Sequence, residues 1–141
     1  MTIRRICAVL LPAIAVTIVL AGCGGSDKKI GAVSGKVTYR GQPVSEGSVS
    51  LVDTTAGEGA EATLNRDGTF KIETPEGGLP PGTYAVSISP PIYEDSSDPK
   101  TPPVMVQKKV KNIPEKYRSH FTSGLSATVK EGPNEVNLEM K

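Results

Sequence analysis

Glycine and proline cut this chain into short pieces. The 141 residues include 15 Gly and 12 Pro, and past residue 22 no uninterrupted window carries the apolar spacing of a helix. Between the cuts, apolar residues alternate with polar ones, the period of a strand with one buried face. Val33, Val37 and Tyr39 form one such set. Val49 and Leu51 form another, and Ala60 to Leu64 is a further short candidate. Phe70 and Ile72 continue the pattern. Tyr84, Val86 and Ile88 share a face, as do Leu125, Ala127 and Val129, and then Val136, Leu138 and Met140.

The connections carry turn chemistry. Arg40-Gly41-Gln42-Pro43 combines a residue that tolerates positive φ with one that fixes φ. Asn65-Arg66-Asp67-Gly68 predicts a hairpin turn, with Gly68 in the left-handed position. Leu79-Pro80-Pro81-Gly82 predicts another turn. Short strands with regular punctuation imply an all-β, antiparallel, Ig-like sandwich of about seven to eight strands over residues 31–141. That length suits one domain and is too short for two.

The first 22 residues differ in kind. Arg4 and Arg5 precede ICAVLLPAIAVTIVLAG, residues 6–22, which carries no charge. A basic start, an apolar run and a small-residue cleavage zone are the pattern of a secretory signal peptide. Pro12 would kink a membrane helix but is harmless in a removed segment, and about 17 apolar residues are at the short limit for spanning. The stretch then ends in Leu20-Ala21-Gly22-Cys23. This resembles the bacterial lipoprotein signal, or lipobox. The resemblance implies a diacylglycerol on the Cys23 thiol, cleavage before Cys23 and acylation of the new amino group. Several acyl chains on one residue give stable membrane attachment. Residues 23–30 then read as the lipidated cysteine and a flexible tether rich in Gly, Ser and mixed charge. In lipoproteins of Gram-negative bacteria, Asp after the cysteine signals inner-membrane retention. Gly24 stands there, which implies the outer membrane.

Removing residues 1–22 takes away Arg4, Arg5 and Cys7. It leaves 14 basic against 15 acidic residues, a formal charge of −1. That balance argues against a nucleic-acid partner. Without Cys7, Cys23 has no disulfide partner, so the domain must rely on its core.

A more specific likeness lies in "VSGKVTYRGQPVSEGSVSLV", "NRDGTFKI" and "GLPPGTYAVSI". Together they resemble the carboxypeptidase regulatory-like domain, a transthyretin-like sandwich. Val33, Gly35 and Val37 match its V-x-G-x-V strand, and Gly41 and Pro43 its G-x-P turn. Asp67, Gly68 and Phe70 match its D-G-x-F hairpin, and Pro81, Gly82 and Tyr84 its P-G-x-Y strand. Residues 113–141 resemble the closing segment of small secreted lipoproteins built on this domain. In carboxypeptidases the related domain is an accessory to a catalytic one, so the resemblance implies a fold and no activity.

The motif residues have structural explanations. Gly35 within a strand suggests a bulge or a close backbone approach. Phe70 and Tyr84, two of only six aromatics, are expected to anchor the core, with the Tyr84 hydroxyl at a rim.

Residues 90–103, PPIYEDSSDPKTPP, break the alternation with five prolines and read as an exposed loop. Glu94, Asp95 and Asp98 there invite comparison with a Ca²⁺ site, but their spacing matches no known cage. Solvation is the simpler reading, and no metal or other cofactor is expected.

His120 is the only histidine. It neighbours Ser119 and Ser123, yet adjacent residues on a strand point to opposite faces and do not make a nucleophile–base pair. An exposed, non-functional His120 is expected. Tyr39-Arg40-Gly41 echoes part of the Tyr-Arg-Gly-Ser of a transthyretin-related hydrolase, without that enzyme's histidines, and reads as coincidence. With no Trp and its few aromatics assigned to the core, the chain lacks a carbohydrate platform. The expectation is a non-catalytic, lipid-anchored envelope protein with a structural or protein-interaction role and an unidentified protein partner. A surface lipoprotein that binds carbohydrate or another small ligand is the alternative.

Overall fold

The structure, a computed structural model, describes residues 29–97 and 99–141. The expected signal peptide, Cys23, most of the expected tether and Asp98 lie outside the described residues.

The fold is all-β, and the expected sandwich is present with more strands than anticipated. They are β1 (Gly31–Tyr39), β2 (Gln42–Pro43), β3 (Ser48–Val52), β4 (Gly59–Thr63), β5 (Thr69–Lys71), β6 (Gly82–Ser89), β7 (Ile92–Asp95), β8 (Val104–Gln107), β9 (Leu125–Val129) and β10 (Gly132–Met140). One 3₁₀ turn spans Glu115–Arg118. The first sheet is ordered β10-β1-β2, with β5 also on β1. The second is ordered β4-β3-β6-β9, and β7 and β8 form a separate pair.

Every alternating set read from the sequence points inward. Val33, Val37, Val49, Leu51, Phe70, Ile72, Tyr84, Val86, Ile88, Ala127, Val129, Val136, Leu138 and Met140 all belong to one core. Tyr39 and Leu125 pack against it, partly buried.

One pairing departs from the antiparallel expectation. β1 and β10 run parallel through nine residue pairs, from Gly31 opposite Gly132 to Tyr39 opposite Met140. Parallel pairing needs a long crossover, and here nearly the whole domain supplies it.

Gly35 sits inside this ladder, opposite Phe70 of β5. A Cβ there would lie 1.8 Å from the Val136 carbonyl oxygen and 3.1 Å from the Phe70 ring. The missing side chain lets three strands and an aromatic ring close on one point.

The Arg40–Gly41 turn is a tight hairpin between β1 and β2, with φ of +50° and +79°. Positive φ at both central residues matches the twist of the strands. The Asn65–Gly68 turn also forms, with the Gly68 amide donating to the Asn65 carbonyl at 2.9 Å. It does not make the expected hairpin. β4 pairs with β3 and β5 with β1, so this turn carries the chain from one sheet to the other. Gly68 is drawn to β1 instead, where its carbonyl accepts from the Val37 amide at 2.8 Å.

Tyr84 is the largest fully buried side chain. Its hydroxyl donates to the Pro80 carbonyl at 2.8 Å, four residues back. This ties the start of β6 to the preceding turn. Burial, with Asp53 and Glu58 nearby, pushes its phenol above the usual range.

Two turn carboxyls shift the other way. The Asp53 carboxyl accepts from the amides of Ala56 and Thr55, and the Asp67 carboxyl from the hydroxyl and amide of Thr69. Both are held below the ordinary carboxylate value.

Two predictions follow from this packing. Truncating Phe70 or Tyr84 to Ala should cost about 3–5 kcal/mol in denaturant unfolding, and Gly35→Ala about 1–3 kcal/mol through overpacking. Near-parental midpoints for all three would contradict the packing described. The lowered carboxyls stabilise the fold above their unfolded value and lose that contribution as pH falls through the folded one. The melting temperature should therefore hold from neutral pH to about pH 5 and drop below about pH 4. Asp67→Asn should make that acid limb shallower, and an unchanged limb would count against the Asp67–Thr69 bonds.

Candidate functional site

The two ends of the sandwich differ. At one end Ile30 leads into β1. The Gly31 and Leu79 backbones exchange hydrogen bonds of 2.7 and 2.9 Å, and the Gly132 amide donates to the Ile30 carbonyl at 3.1 Å. Gly82 lies opposite Val129 at this same end. β6 therefore starts beside Ile30 and runs away from it to Ser89, which pairs with Ser48.

The chain leaves β6 at that far end through Pro90 and Pro91 and forms the β7–β8 hairpin. This corrects the reading of residues 90–103 as a plain loop. Four of them form β7, which pairs with β8 in the register Ile92–Gln107 to Asp95–Val104. The prolines that disguised it lie outside the two strands, where no ladder donor is needed. The hairpin's base is held by a Lys108–Glu46 ion pair at 2.6 Å and by the Lys108 amide donating to the Pro91 carbonyl at 2.8 Å.

Neither face of the hairpin is buried in the core. Ile92 and Met105 lie on one face, and Tyr93, Val104 and Val106 on the other. Ile92, Tyr93, Val104 and Met105 are 51–67% exposed. A fifth large apolar side chain, Phe121, is 82% exposed. It sits in the turn before β9, whose first residue pairs with Val86 in the far half of β6. All five exposed large apolar residues among those described thus gather away from Ile30.

An open cleft of about 630 Å³ runs along the hairpin's base, lined by Glu46, Ser48, Glu61, Thr63, Ser89 and Gln107 among others. It has no aromatic wall on which a sugar ring would stack.

The same end is sealed from inside by residues 113–123. Ile113 and Tyr117 are buried in the core. The Tyr117 hydroxyl accepts from the Lys141 amide at 3.0 Å, which lowers its phenol pKa. The Arg118 guanidinium donates twice to the Ile113 carbonyl, at 3.2 and 3.0 Å.

Ser119, His120 and Ser123 lie in a turn, not on a strand. Both serine hydroxyls are engaged with backbone groups. The Ser123 hydroxyl donates to the Val86 carbonyl and accepts from the Leu125 amide. The Ser119 hydroxyl accepts from the Phe121 amide at 3.3 Å. His120, expected to be exposed, is half-buried and packs on Phe121 with ring centroids 4.0 Å apart.

The carboxylates of the hairpin tip are also engaged locally. Asp95 accepts from the Ser97 amide at 3.0 Å, and Ser97 holds its carboxyl below the ordinary value. Glu94 accepts from the Ser96 hydroxyl at 3.2 Å. Among the described residues no group of three or more His, Cys, Asp or Glu side chains could hold a metal ion, and no helix is long and apolar enough to cross a membrane.

Sequence reasoning missed the apolar pole. The signal available was the alternation of Ile92 and Tyr93 with Glu94 and Asp95, opposite Val104-Met105-Val106. No protein-family model matches the chain, and no curated protein matches it either.

The commitments of Ser119 and Ser123 generate a prediction. Ser123→Ala should lower the melting temperature through loss of a buried hydrogen bond, about 1 kcal/mol. His120→Ala should change it far less, as expected for a partly exposed side chain. A larger loss for His120→Ala than for Ser123→Ala would reverse this ranking.

Proposed function

We propose that this chain is a lipid-anchored protein of the bacterial cell envelope, without catalytic activity, that presents its far pole to a protein partner. Residues 1–22 are its signal peptide, Cys23 carries the lipid, and the outer membrane is its site. The described domain is a carboxypeptidase regulatory-like, transthyretin-like sandwich used as a rigid spacer and contact module, without metal or other cofactor.

The supporting observation is the polarity of the domain. The chain enters at Ile30, only seven residues after Cys23. The five exposed large apolar side chains lie away from that end, four of them together on the β7–β8 hairpin. A short tether holds the Ile30 end near the bilayer and turns the apolar pole away from it. Contiguous exposed apolar surface is the usual mark of an interaction site. The outward face of the first sheet, by contrast, carries Ser34, Lys36, Glu135 and Asn137.

Two measurements test the proposal. Intact-mass spectrometry of the membrane fraction should find a chain beginning at Cys23 with acyl mass on that residue, and Cys23→Ala should block processing while leaving the domain folded. A different mature start, or no lipid, would overturn the anchoring. Photo-crosslinkers placed at Tyr93 and Phe121 in intact cells should capture discrete adducts that a crosslinker at Lys71 does not. Equal adducts at all three positions would overturn the assignment of the apolar pole.

A further inference from the structure

The β7–β8 hairpin has two edges, and they are not alike. The Lys108 amide bonds the Pro91 carbonyl in the register of the pairs that follow. In an antiparallel ladder, bonded and non-bonded pairs alternate. Tyr93–Val106 and Asp95–Val104 are therefore the bonded pairs. The backbone groups of Ile92 and Glu94 point outward from β7, and those of Met105 and Gln107 point outward from β8. Neither strand pairs with anything else among the described residues.

Two prolines precede each strand, so charge is what separates the edges. Glu94 and Asp95 occupy half of β7. Two such edges brought together would gather four carboxylates. The β8 edge, Val104-Met105-Val106-Gln107, has no charge and no proline within it. Free, uncharged edges recruit another strand.

We infer that the β8 edge pairs with the β8 edge of a second copy of this chain, antiparallel about a two-fold axis at Met105. This deepens the protein-interaction reading by naming the partner, and it rests on that reading only for where the contact occurs.

The geometry is self-complementary. Residues opposed across an antiparallel pair must share a face, so a two-fold register must set like parity against like. Centring on Met105 does so. Met105 faces Met105 of the second copy, and Val104 faces Val106. The outward amide and carbonyl of Met105 then bond their counterparts reciprocally. The Gln107 amide meets the carbonyl of Pro103, which has no amide hydrogen to return, so the outer Gln107 carbonyl stays with water. No charged residue opposes another within the strand.

Side chains reinforce the pairing. Two hairpins become a four-stranded sheet. Tyr93, Val104 and Val106 of both copies adjoin on one face, and Ile92 and Met105 of both on the other. A lone two-stranded hairpin is marginal in water, and added strands with an apolar face stabilise it. The contact explains why a hairpin with no buried face carries valine, methionine, isoleucine and tyrosine.

The test uses the full chain solubilised from membranes in detergent. Sedimentation equilibrium should give a concentration-dependent dimer. Met105→Pro removes only an outward donor, so the melting temperature should hold while dimerisation weakens about thirtyfold through two lost hydrogen bonds. Met105→Lys, which keeps the backbone and opposes two like charges, should weaken it similarly. It serves as the second variant if proline disturbs the hairpin. Paired Met105 residues would stand about 5.5 Å apart at Cα, within disulfide reach. Met105→Cys should therefore oxidise to a linked dimer, and Glu94→Cys should not. The parent chain, oxidised alongside, reports any linkage through Cys7 or Cys23, so a failure of the lipidation reading shows there and not at Met105. A monomeric mass at every concentration would overturn the inference. So would equal linkage at positions 94 and 105, or dimerisation indifferent to both Met105 substitutions.

Discussion

The parallel ladder between β1 and β10 is the constraint on which the rest of the domain depends. It joins the first and last strands of the described chain over nine residue pairs. Everything between is a single closed path that must leave β1 and return beside it. The ladder is made possible by Gly35, where the Val136 carbonyl occupies the space of a side chain and the Phe70 ring closes in beside it. β5 is thereby fixed to the other side of β1, and with it the Asn65–Gly68 crossing that brings the chain over from the second sheet. The core is then a layer of alternating residues from both sheets, closed at the far end by Ile113 and Tyr117. The Tyr117 bond to the Lys141 amide secures Lys141 beside the end of the same ladder.

Such a closed path has mechanical consequences. A pull on the chain ahead of Gly31 runs along β1. Resisted at the far pole, it would load the β1–β10 bonds together instead of one at a time. Long-range pairing of this kind also makes folding slow, because distant segments must meet before the ladder stabilises anything. With no cysteine among the described residues, the domain depends on that ladder and on close packing, to which Tyr84 adds its bond to the Pro80 carbonyl.

Much of this was legible from the sequence because strand period and turn chemistry are local. The alternating sets, the Arg40–Gly41 turn and the core positions of Phe70 and Tyr84 follow from neighbours a few residues apart. The parallel pairing was not legible, since nothing local in Val33 to Tyr39 names Val136 to Met140 as its partner. The Asn65–Gly68 turn was read correctly as a turn and wrongly as a hairpin, because turn geometry does not say which sheet each flanking strand joins. The hairpin at residues 92–107 was hidden by composition. Five prolines flank or separate its strands, and proline counts against strand wherever an amide donor is required. His120 was misplaced for a related reason. A strand was assumed where the chain makes a turn, so its contact with Phe121 could not be foreseen.

The structure therefore joins a firmly closed body to a hairpin with little burial of its own. These two parts should open at different free energies. Native-state hydrogen exchange of dilute protein across a denaturant series tests that division most directly. The account predicts that amides of Gly31–Tyr39 and Gly132–Met140 exchange only through global unfolding, in step with β3 and β6, while those of Ile92–Gln107 exchange through a separate, lower-energy opening. Exchange of the β10 amides well before those of β3 and β6 would show that the fold does not rest on the parallel ladder, and would contradict it.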